Sequence, residues 1–566
     1  MNRRELLEMG INAAASASAG AFILSEARAE VPSRYAAAFV LLDRYIEQYL
    51  ADMNAPGLTL SLADANGVQR VCTYGLSDVA LRAPLNTQEL FHIGSITKSF
   101  LALCLLQLRD EGKLDLHRPI RQYLPWLRFD AATRPLTAHD LLTHSAALPD
   151  GPLFPTDPAF RHRANAAPGT YFHYCNMGYE ALGHLLSELD GRPLAESFRV
   201  RLLEPLGMAA TEPVITVDAF ERMAASYQAA YNERPFPRLG RLAQSPPIAM
   251  SAGSGCIAAT ARDMAAYVTM LINRGATPAG RVVSAAGFEL FAQGHMAAEH
   301  FGAGASYGYG IAVDRLDGHK RLRHTGGMVS FASALEIDLD AGVGVFASIN
   351  AMQGYRPRPV AEYALRLMRA CRESAVLPDV PARNPCWRVA TAADYANRYE
   401  GTGGRSLNVV AEGDRLFLMH QGARVPLEPT QDLDDAFVVR HPEFAHYVLL
   451  FGRAGSDAKG AVVEAGWGED WYAARGYGGS REFKVPAEWL RYVGHYRNED
   501  PWIGSNRIVI RRGKLWLNGA VPLEAADGGR FYLRDEPASP EWVGFSDFAG
   551  GHAMRMRLSG ADLTRV

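Results

Sequence analysis

Phe91-His92-Ile93-Gly94-Ser95-Ile96-Thr97-Lys98-Ser99-Phe100-Leu101-Ala102-Leu103-Cys104-Leu105-Leu106 is the stretch from which the fold can be read. Gly94 marks a turn into a long apolar helix that runs to about Glu111, with Gly112 as its C-cap. Ser95 stands in the first turn and Lys98 three residues later. Positions i and i+3 share a helical face, so the hydroxyl and the ammonium can touch. A helix N-terminus also leaves backbone N–H groups free, which suits an oxygen that turns negative during acyl transfer. The S-x-x-K spacing alone is cheap. Ser456-Asp457-Ala458-Lys459 repeats it between Gly455 and Gly460, where a hairpin turn is expected.

Around that helix the chain shows a regular order of elements. Apolar residues Val40, Leu41, Tyr45, Ile46, Tyr49 and Leu50 recur at helical spacing from Tyr35 to Asp52. Gly57 to Ala63 and Gln69 to Gly75 read as strands joined around Asn66-Gly67. Downstream come a short helix in Ala138 to His144, ending at Pro149, and a helix from about Glu180 to Leu189 that stops at Gly191. Thr260 as N-cap, with Asp263 in the first turn, opens another helix. Gly308 to Val313, Arg321 to Thr325, Ala332 to Asp338 and Gly342 to Asn350 are short strands. Two early strands, a helical middle and late strands describe one α/β domain whose sheet is completed by its last strands.

The remaining chain is of another kind. Pro378, Pro381 and Pro385 mark a linker at 376–390, after which helical periodicity largely disappears. Two segments, 391–484 and 485–566, then resemble one another. Tyr395-Ala396-Asn397-Arg398-Tyr399 matches Tyr492-Val493-Gly494-His495-Tyr496, and Pro426-Leu427-Glu428 matches Pro522-Leu523-Glu524. The offset stays near one hundred residues, so two copies of a small antiparallel β-barrel or sandwich are expected.

Composition narrows the function classes. With 566 residues, 48% hydrophobic and 21% charged, and a net charge of -3, the chain is an ordinary globular protein of several domains. No basic excess points to nucleic acid, and no apolar run is long enough to span a bilayer. Arg3-Arg4, an Ala-rich run from Ile11 to Leu24 and Ala27-Arg28-Ala29 read as a signal peptide over 1–29, of the twin-arginine type. A periplasmic or secreted location follows as an expectation. The six cysteines form no spaced framework, although Cys371 and Cys386 could pair in an oxidising compartment. His139, His144, His162 and His173 lack metal-ligand spacing and read as structural or solvent-facing, so neither metal nor cofactor is expected.

Two further motifs follow Ser95 and Lys98 in order: Tyr174-Cys175-Asn176, a Y-x-N, and His324-Thr325-Gly326-Gly327, an H-x-G at a strand end. Tyr395-Ala396-Asn397, His420-Gln421-Gly422 and His300-Phe301-Gly302 repeat these patterns out of place, so order and context carry the signal. With Leu141-Leu142-Thr143-His144-Ser145-Ala146-Ala147-Leu148-Pro149, Pro168-Gly169-Thr170 and Glu204-Pro205-Leu206-Gly207-Met208, they make Tyr35 to Met368 resemble the serine β-lactamase-like superfamily: class C β-lactamases, DD-peptidases, D-aminopeptidases and related esterases.

The resemblance implies a β-lactamase/transpeptidase-like α/β (α+β) domain over 30–375, with helices around an antiparallel sheet, and a serine hydrolase acting on a small molecule or short peptide. Ser95 would be the nucleophile, forming an acyl-enzyme, with Lys98 and Tyr174 as its catalytic partners. A base working near pH 7 needs a shift of roughly three units from the free pKa of either Lys or Tyr, and the sequence does not choose between them. Asn176, His324, Thr325 and Gly326 would bind substrate, Asn176 also holding Lys98, and the N–H groups of Ser95 and Gly327 would form the oxyanion hole.

Two departures stand out. β-Lactamases and DD-peptidases usually carry Lys where this chain has His324, which is neutral or partly charged near pH 7. H-x-G is seen in relatives resembling D-aminopeptidases, which can also carry two C-terminal β-domains. Ala147 stands where the family usually has Gly. A peptidase, amidase or esterase of D-aminopeptidase-like type is the reading that follows. A β-lactamase and a sensor that acylates without turnover are the alternatives, and Arg497 to Arg507 is a loop expected to reach the active site.

Overall fold

The computed structural model describes residues 34–566 apart from 132, 156–159, 231–232, 236–237, 239, 353–355, 431–432, 456–459, 501 and 534–538. The expected signal peptide and the second S-x-x-K at 456–459 lie outside the described residues.

The part that precedes the linker is built on one antiparallel sheet. Its strands in chain order are β1 (Gly57–Asp64), β2 (Gly67–Asp78), β3 (Ala83–Pro84), β4 (Met296–Ala297), β5 (Ser306–Tyr307), β6 (Ala312–Leu316), β7 (His319–Met328), β8 (Phe331–Asp338) and β9 (Val343–Ile349). Their order across the sheet is β4-β5-β6-β7-β8-β9-β1-β2-β3, so the late strands complete the sheet against the early hairpin. Leu58 faces Ile349 across the β1–β9 seam, and Leu60 faces Ala347.

Alternation explains the layers. Leu58, Leu60, Leu62, Val343, Val345 and Ala347 pack on one face against Tyr45 and Ile46 of helix α1 (Ala36–Met53) and Val360 and Leu367 of a late helix, Arg358–Glu373. Leu335, Ile337 and Phe346 point the other way, into the larger core around helix α2 (Thr97–Asp110) and a helix at Ala261–Ile272. Thr260 caps the latter as expected, accepting the N–H of Asp263 at 3.2 Å. α2 is apolar nearly all round because it is sheathed in protein: Phe100 stacks on Tyr267 at 3.8 Å between centroids, and Ser99 Oγ and the Tyr267 hydroxyl share a 2.7 Å hydrogen bond. Gly112 follows its end with φ of 74°, as a C-terminal glycine should.

After a short helix at Ala138–Leu142, helix α3 spans Asn176–Asp190, four residues longer at its start than its apolar pattern predicts. All six cysteines are free, so Cys371 and Cys386 do not pair here.

Beyond the linker stand two closed eight-stranded barrels, the first running from Asn397–Gly401 to Asp470–Ala474, the second from Gly494–Arg497 to Ala561–Arg565. Tyr399 pairs with Ala474 to close one, and Tyr496 with Arg565 to close the other. The matched tyrosines make the same bond in each: Tyr399 hydroxyl to Tyr395 O and Tyr496 hydroxyl to Tyr492 O, both 2.8 Å. At eight strands the interior is just wide enough for side chains to fill it, and Tyr399, Leu427 and Leu449 fill the first as Tyr496, Leu515 and Val543 fill the second.

Candidate active site

The nucleophile turn is made by a close approach of two backbones. Gly94 has φ of 53°, and a Cβ there would lie 2.8 Å from the carbonyl oxygen and 2.9 Å from the nitrogen of Gly327. Gly326 is tighter still, since its Cβ would lie 1.9 Å from Ile93 O. The glycines of Gly326-Gly327 therefore let β7 run against the turn that carries Ser95. β6 covers β7 only as far as Arg323, so the far half of that edge, from His324, faces the turn. Ser95 sits in a 3₁₀ turn, Gly94–Ile96, that leads into α2. On the other side Ile93 N–H donates to Ile257 O at 3.0 Å and Ile257 N–H to Thr97 Oγ1 at 3.2 Å, pinning the segment that includes Ser254.

Lys98 is wholly buried and spends its three donor directions on three acceptors: Ser95 Oγ at 2.9 Å, Asn176 Oδ1 at 2.8 Å and Ser254 O at 2.7 Å. Its Nζ also lies over the Tyr174 ring, 4.9 Å from the centroid, and 5.5 Å from that of Tyr179. Burial opposes the ammonium and pushes Lys98 down to about 7, with Asp150, Glu180 and Cys175 pulling the other way. A neutral amine donates two hydrogens and offers one lone pair. With Asn176 Oδ1 and Ser254 O taking the hydrogens, the lone pair points at the Ser95 hydroxyl.

Asn176 opens α3, with Cys175 at the N-cap position and making no side-chain cap. The cap comes from Asp150, whose carboxylate accepts Asn176 N–H at 2.7 Å, Met177 N–H at 3.0 Å and Asn176 Nδ2–H at 2.8 Å. Asn176 thus shows its amide oxygen to Lys98 and an N–H to Asp150. Asp150 is itself raised by burial. Tyr174 is half-buried and its ring lies tilted by 33° against that of His144, with centroids 4.3 Å apart. His144 is buried, accepts Cys175 N–H through Nδ1 at 3.0 Å, and is kept neutral by burial and by Lys98.

His324 is turned inward and only 2% exposed. Its Nδ1 bonds Thr325 O at 2.6 Å, which makes it the N–H, so Nε2 accepts the Tyr307 hydroxyl at 2.8 Å. Burial first, then the Lys98 charge, drive it down to about 3. Both nitrogens are occupied, so direct substrate contact through His324, expected from the motif, is not offered by this conformation; neutral His324 shapes the site from behind. Thr325 and Gly327 are half-buried on the strand edge and Gly326 is buried.

Sequence reasoning brought Ser95, Lys98, Tyr174, Asn176 and the β7 glycines together. It passed over Asp150 and Ser254, and read His144 as structural or solvent-facing, of which the structure shows the first. A main-chain carbonyl carries no sequence signature, and Asp150 caps a helix that starts 26 residues later. The displaced motifs have other work: Tyr395 bonds Asp435 and Arg453. His420 and His441 stand with Glu443, their ligand atoms within 4.8 Å of one another. There Glu443 already pairs with His420 at 2.9 Å and Gln421 at 2.9 Å.

A family model described as Beta-lactamase matches residues 42–369, more than half of the chain. The chain belongs to the beta-lactamase family. Within it, residues of this chain are 27% identical over 208 residues to the D-alanyl-D-alanine-carboxypeptidase/endopeptidase AmpH of Escherichia coli (strain K12), covering 34% of this chain and 54% of that one. They are 28% identical over 194 residues to Esterase EstB of Burkholderia gladioli, covering 30% and 49%. The matches span about half to three fifths of the length of such curated relatives. The octameric penicillin-binding protein homologue from Pyrococcus abyssi has the same fold, with a TM-score of 0.55 and 24% identity over 77% of this chain and 99% of its own. The beta-lactamase-family chain is thus a serine-hydrolase relative whose family domain carries two barrels in addition.

Proposed function

We propose that this chain is an exported serine hydrolase that cleaves a small peptide, amide or ester through an acyl-Ser95 intermediate. The observation that carries the reading is Lys98: buried, held by two fixed carbonyl oxygens, and 2.9 Å from Ser95 Oγ. Of the two bases left open by the sequence, it favours Lys98, since an amine with a pKa near 7 is half neutral at working pH. Neutral Lys98 takes the Ser95 proton while Oγ bonds the substrate carbonyl carbon. The carbonyl oxygen becomes an oxyanion facing the N–H groups of Ser95 and Gly327, and the Tyr174 ring lies against the ammonium that forms. Lys98 then returns the proton to the departing amine or alkoxide as its bond to carbon breaks. Water attacks the acyl-Ser95 ester and gives a proton to Lys98; as the bond from carbon to Oγ breaks, Lys98 passes that proton to Oγ, which releases the acid and restores the Ser95 hydroxyl and the neutral amine.

D-aminopeptidase-like specificity is the finer version. Its support is electrostatic: His324 is held neutral, whereas carboxyls gather near the turn. Glu180 is raised to about 7 by burial first and then by Asp150, with Asp500 of the 498–504 barrel loop adding to it. A substrate ammonium would relieve that repulsion. Export rests on Arg3-Arg4 and Ala27-Arg28-Ala29.

The test is a panel of D- and L-aminoacyl nitroanilides, nitrophenyl esters and a chromogenic cephalosporin, with Ser95→Ala alongside. Turnover confined to the wild type, best on a D-aminoacyl nitroanilide, supports the reading. Preference for an ester or the cephalosporin moves the substrate class; equal activity in Ser95→Ala overturns the mechanism. A stable adduct with no product favours an acylated sensor.

A further inference from the structure

The second barrel reaches the Ser95 site through one carboxylate. Glu541 stands directly before the strand Trp542–Ala549 and is 18% exposed in its side chain. Its Oε1 accepts the backbone N–H of Asp150 at 2.7 Å and the Nε2–H of His173 at 2.8 Å. Its Oε2 accepts the hydroxyl of Ser559, whose Oγ accepts Trp542 N–H at 3.2 Å. Around this point the two domains meet backbone to backbone. A Cβ on Gly151 would lie 2.0 Å from Ser559 O, and Phe160 stacks on Trp542 with centroids 6.1 Å apart.

The two partners of Glu541 flank the Tyr174-Cys175-Asn176 turn. His173 precedes it, and its own N–H is tied to His144 O at 2.8 Å. Asp150 grips the other end through Asn176 and Met177, and Asn176 Oδ1 holds Lys98. Glu541 therefore stands three consecutive contacts from the amine, by way of Asp150 and Asn176.

We propose that Glu541 is a positioning residue of the Ser95 site: by accepting hydrogens from Asp150 and His173 together, the last barrel clamps both flanks of the Tyr174-Cys175-Asn176 turn and fixes where Asn176 holds Lys98. The inference rests on the reading of Ser95 and Lys98 as the reacting pair. It differs from a docking contact in its consequence. A fastener changes stability alone, whereas a clamp on the turn changes the chemical step, because small misplacements of a reacting group cost rate steeply.

The experiment compares full-length wild type with Glu541→Ala, Glu541→Asp and Glu541→Gln, reading kcat and KM separately on the best panel substrate and deuterium uptake over residues 173–177. Glu541→Ala is expected to lower kcat about tenfold to a hundredfold with KM within about twofold, and to speed exchange at 173–177. Glu541→Gln keeps an acceptor for Asp150 N–H and is expected to recover most of kcat. Should Glu541→Ala fail to fold, Glu541→Asp, one methylene short of spanning Asp150 and Ser559 at once, is expected to show the same loss in milder form. Wild-type kcat or unaltered exchange in a folded Glu541→Ala or Glu541→Asp overturns the clamp, even if the melting temperature falls. Wild-type protein that neither turns over nor takes an acyl label at Ser95 sinks the hydrolase reading instead, and the exchange comparison still decides whether Glu541 orders the turn.

Discussion

Lys98 Nζ lies 2.8 Å from Asn176 Oδ1, and that short contact fixes which way the Asn176 amide faces. An ammonium or amine N–H needs an acceptor, so the oxygen is turned to Lys98 and the nitrogen to Asp150. The same contact orients the amine lone pair, which gives the activity a definite pH dependence. Burial lowers Lys98 to about 7, so the neutral base is lost as pH falls below that value and fills as pH rises through it. kcat/KM is expected to fall about tenfold per unit below pH 7 and to level above it. Glu180 is raised to about 7 as well, and Glu180→Gln separates the two by leaving the limb in place. Lys98→Ala is expected to cost about 10²–10⁴-fold in kcat, read by steady-state kinetics.

Asp150→Ala removes the acceptor for two backbone N–H groups and the Asn176 amide together. A helix cap is worth about 0.5–2 kcal/mol, and the loss should appear in urea unfolding. Reduced kcat is expected beside it, since Asn176 would be free to turn from Lys98. Asp150→Asn, which keeps an acceptor oxygen, is expected to fall between.

Gly326→Ala places a Cβ 1.9 Å from Ile93 O, against backbone that cannot move without shifting Ser95. At least about 2 kcal/mol of destabilisation is expected from the overpacking, together with lost turnover. Unchanged thermal unfolding would show that the nucleophile turn yields more easily than this contact implies.

Ala147 adopts φ of 55°, the left-handed conformation in which a non-glycine residue is strained. The departure from the family's usual glycine therefore left the turn in place at an energetic cost. Ala147→Gly is expected to raise stability by up to about 1 kcal/mol, the strain relieved being partly offset by the greater freedom of glycine when unfolded. Activity should be unaltered, as measured on the same substrate panel.

What was legible in the sequence was local or repeated. Ser95 and Lys98 share one helical face, Asn66-Gly67 announces its hairpin, and Tyr395 and Tyr492 announce a duplication. The closure of the two copies into barrels was not legible, because it rests on pairing of the first strand with the last, Tyr399 with Ala474 and Tyr496 with Arg565. What was not legible acts across the chain. The start of α3 escaped because its cap, Asp150, belongs to another segment. The direction of His324 escaped because motif spacing says nothing about which side of a strand edge a ring takes, and here Tyr307 and Thr325 O draw it inward. Asp500, between the strands Gly494–Arg497 and Ser505–Arg511, adds its charge to that of Asp150 on Glu180, yet the barrel residue hydrogen-bonded to Asp150 is Glu541, in a segment without any motif.

The contact between Asp150 and Glu541 joins residues 391 positions apart, and this has a consequence in time. A ribosome that adds roughly 5–20 residues per second makes Ser95 and Lys98 on the order of half a minute before Glu541. The barrel that carries Glu541 then closes only when Thr564 and Arg565 meet Arg497 and Tyr496. During synthesis the nucleophile and its amine thus exist well before the last of these contacts can form.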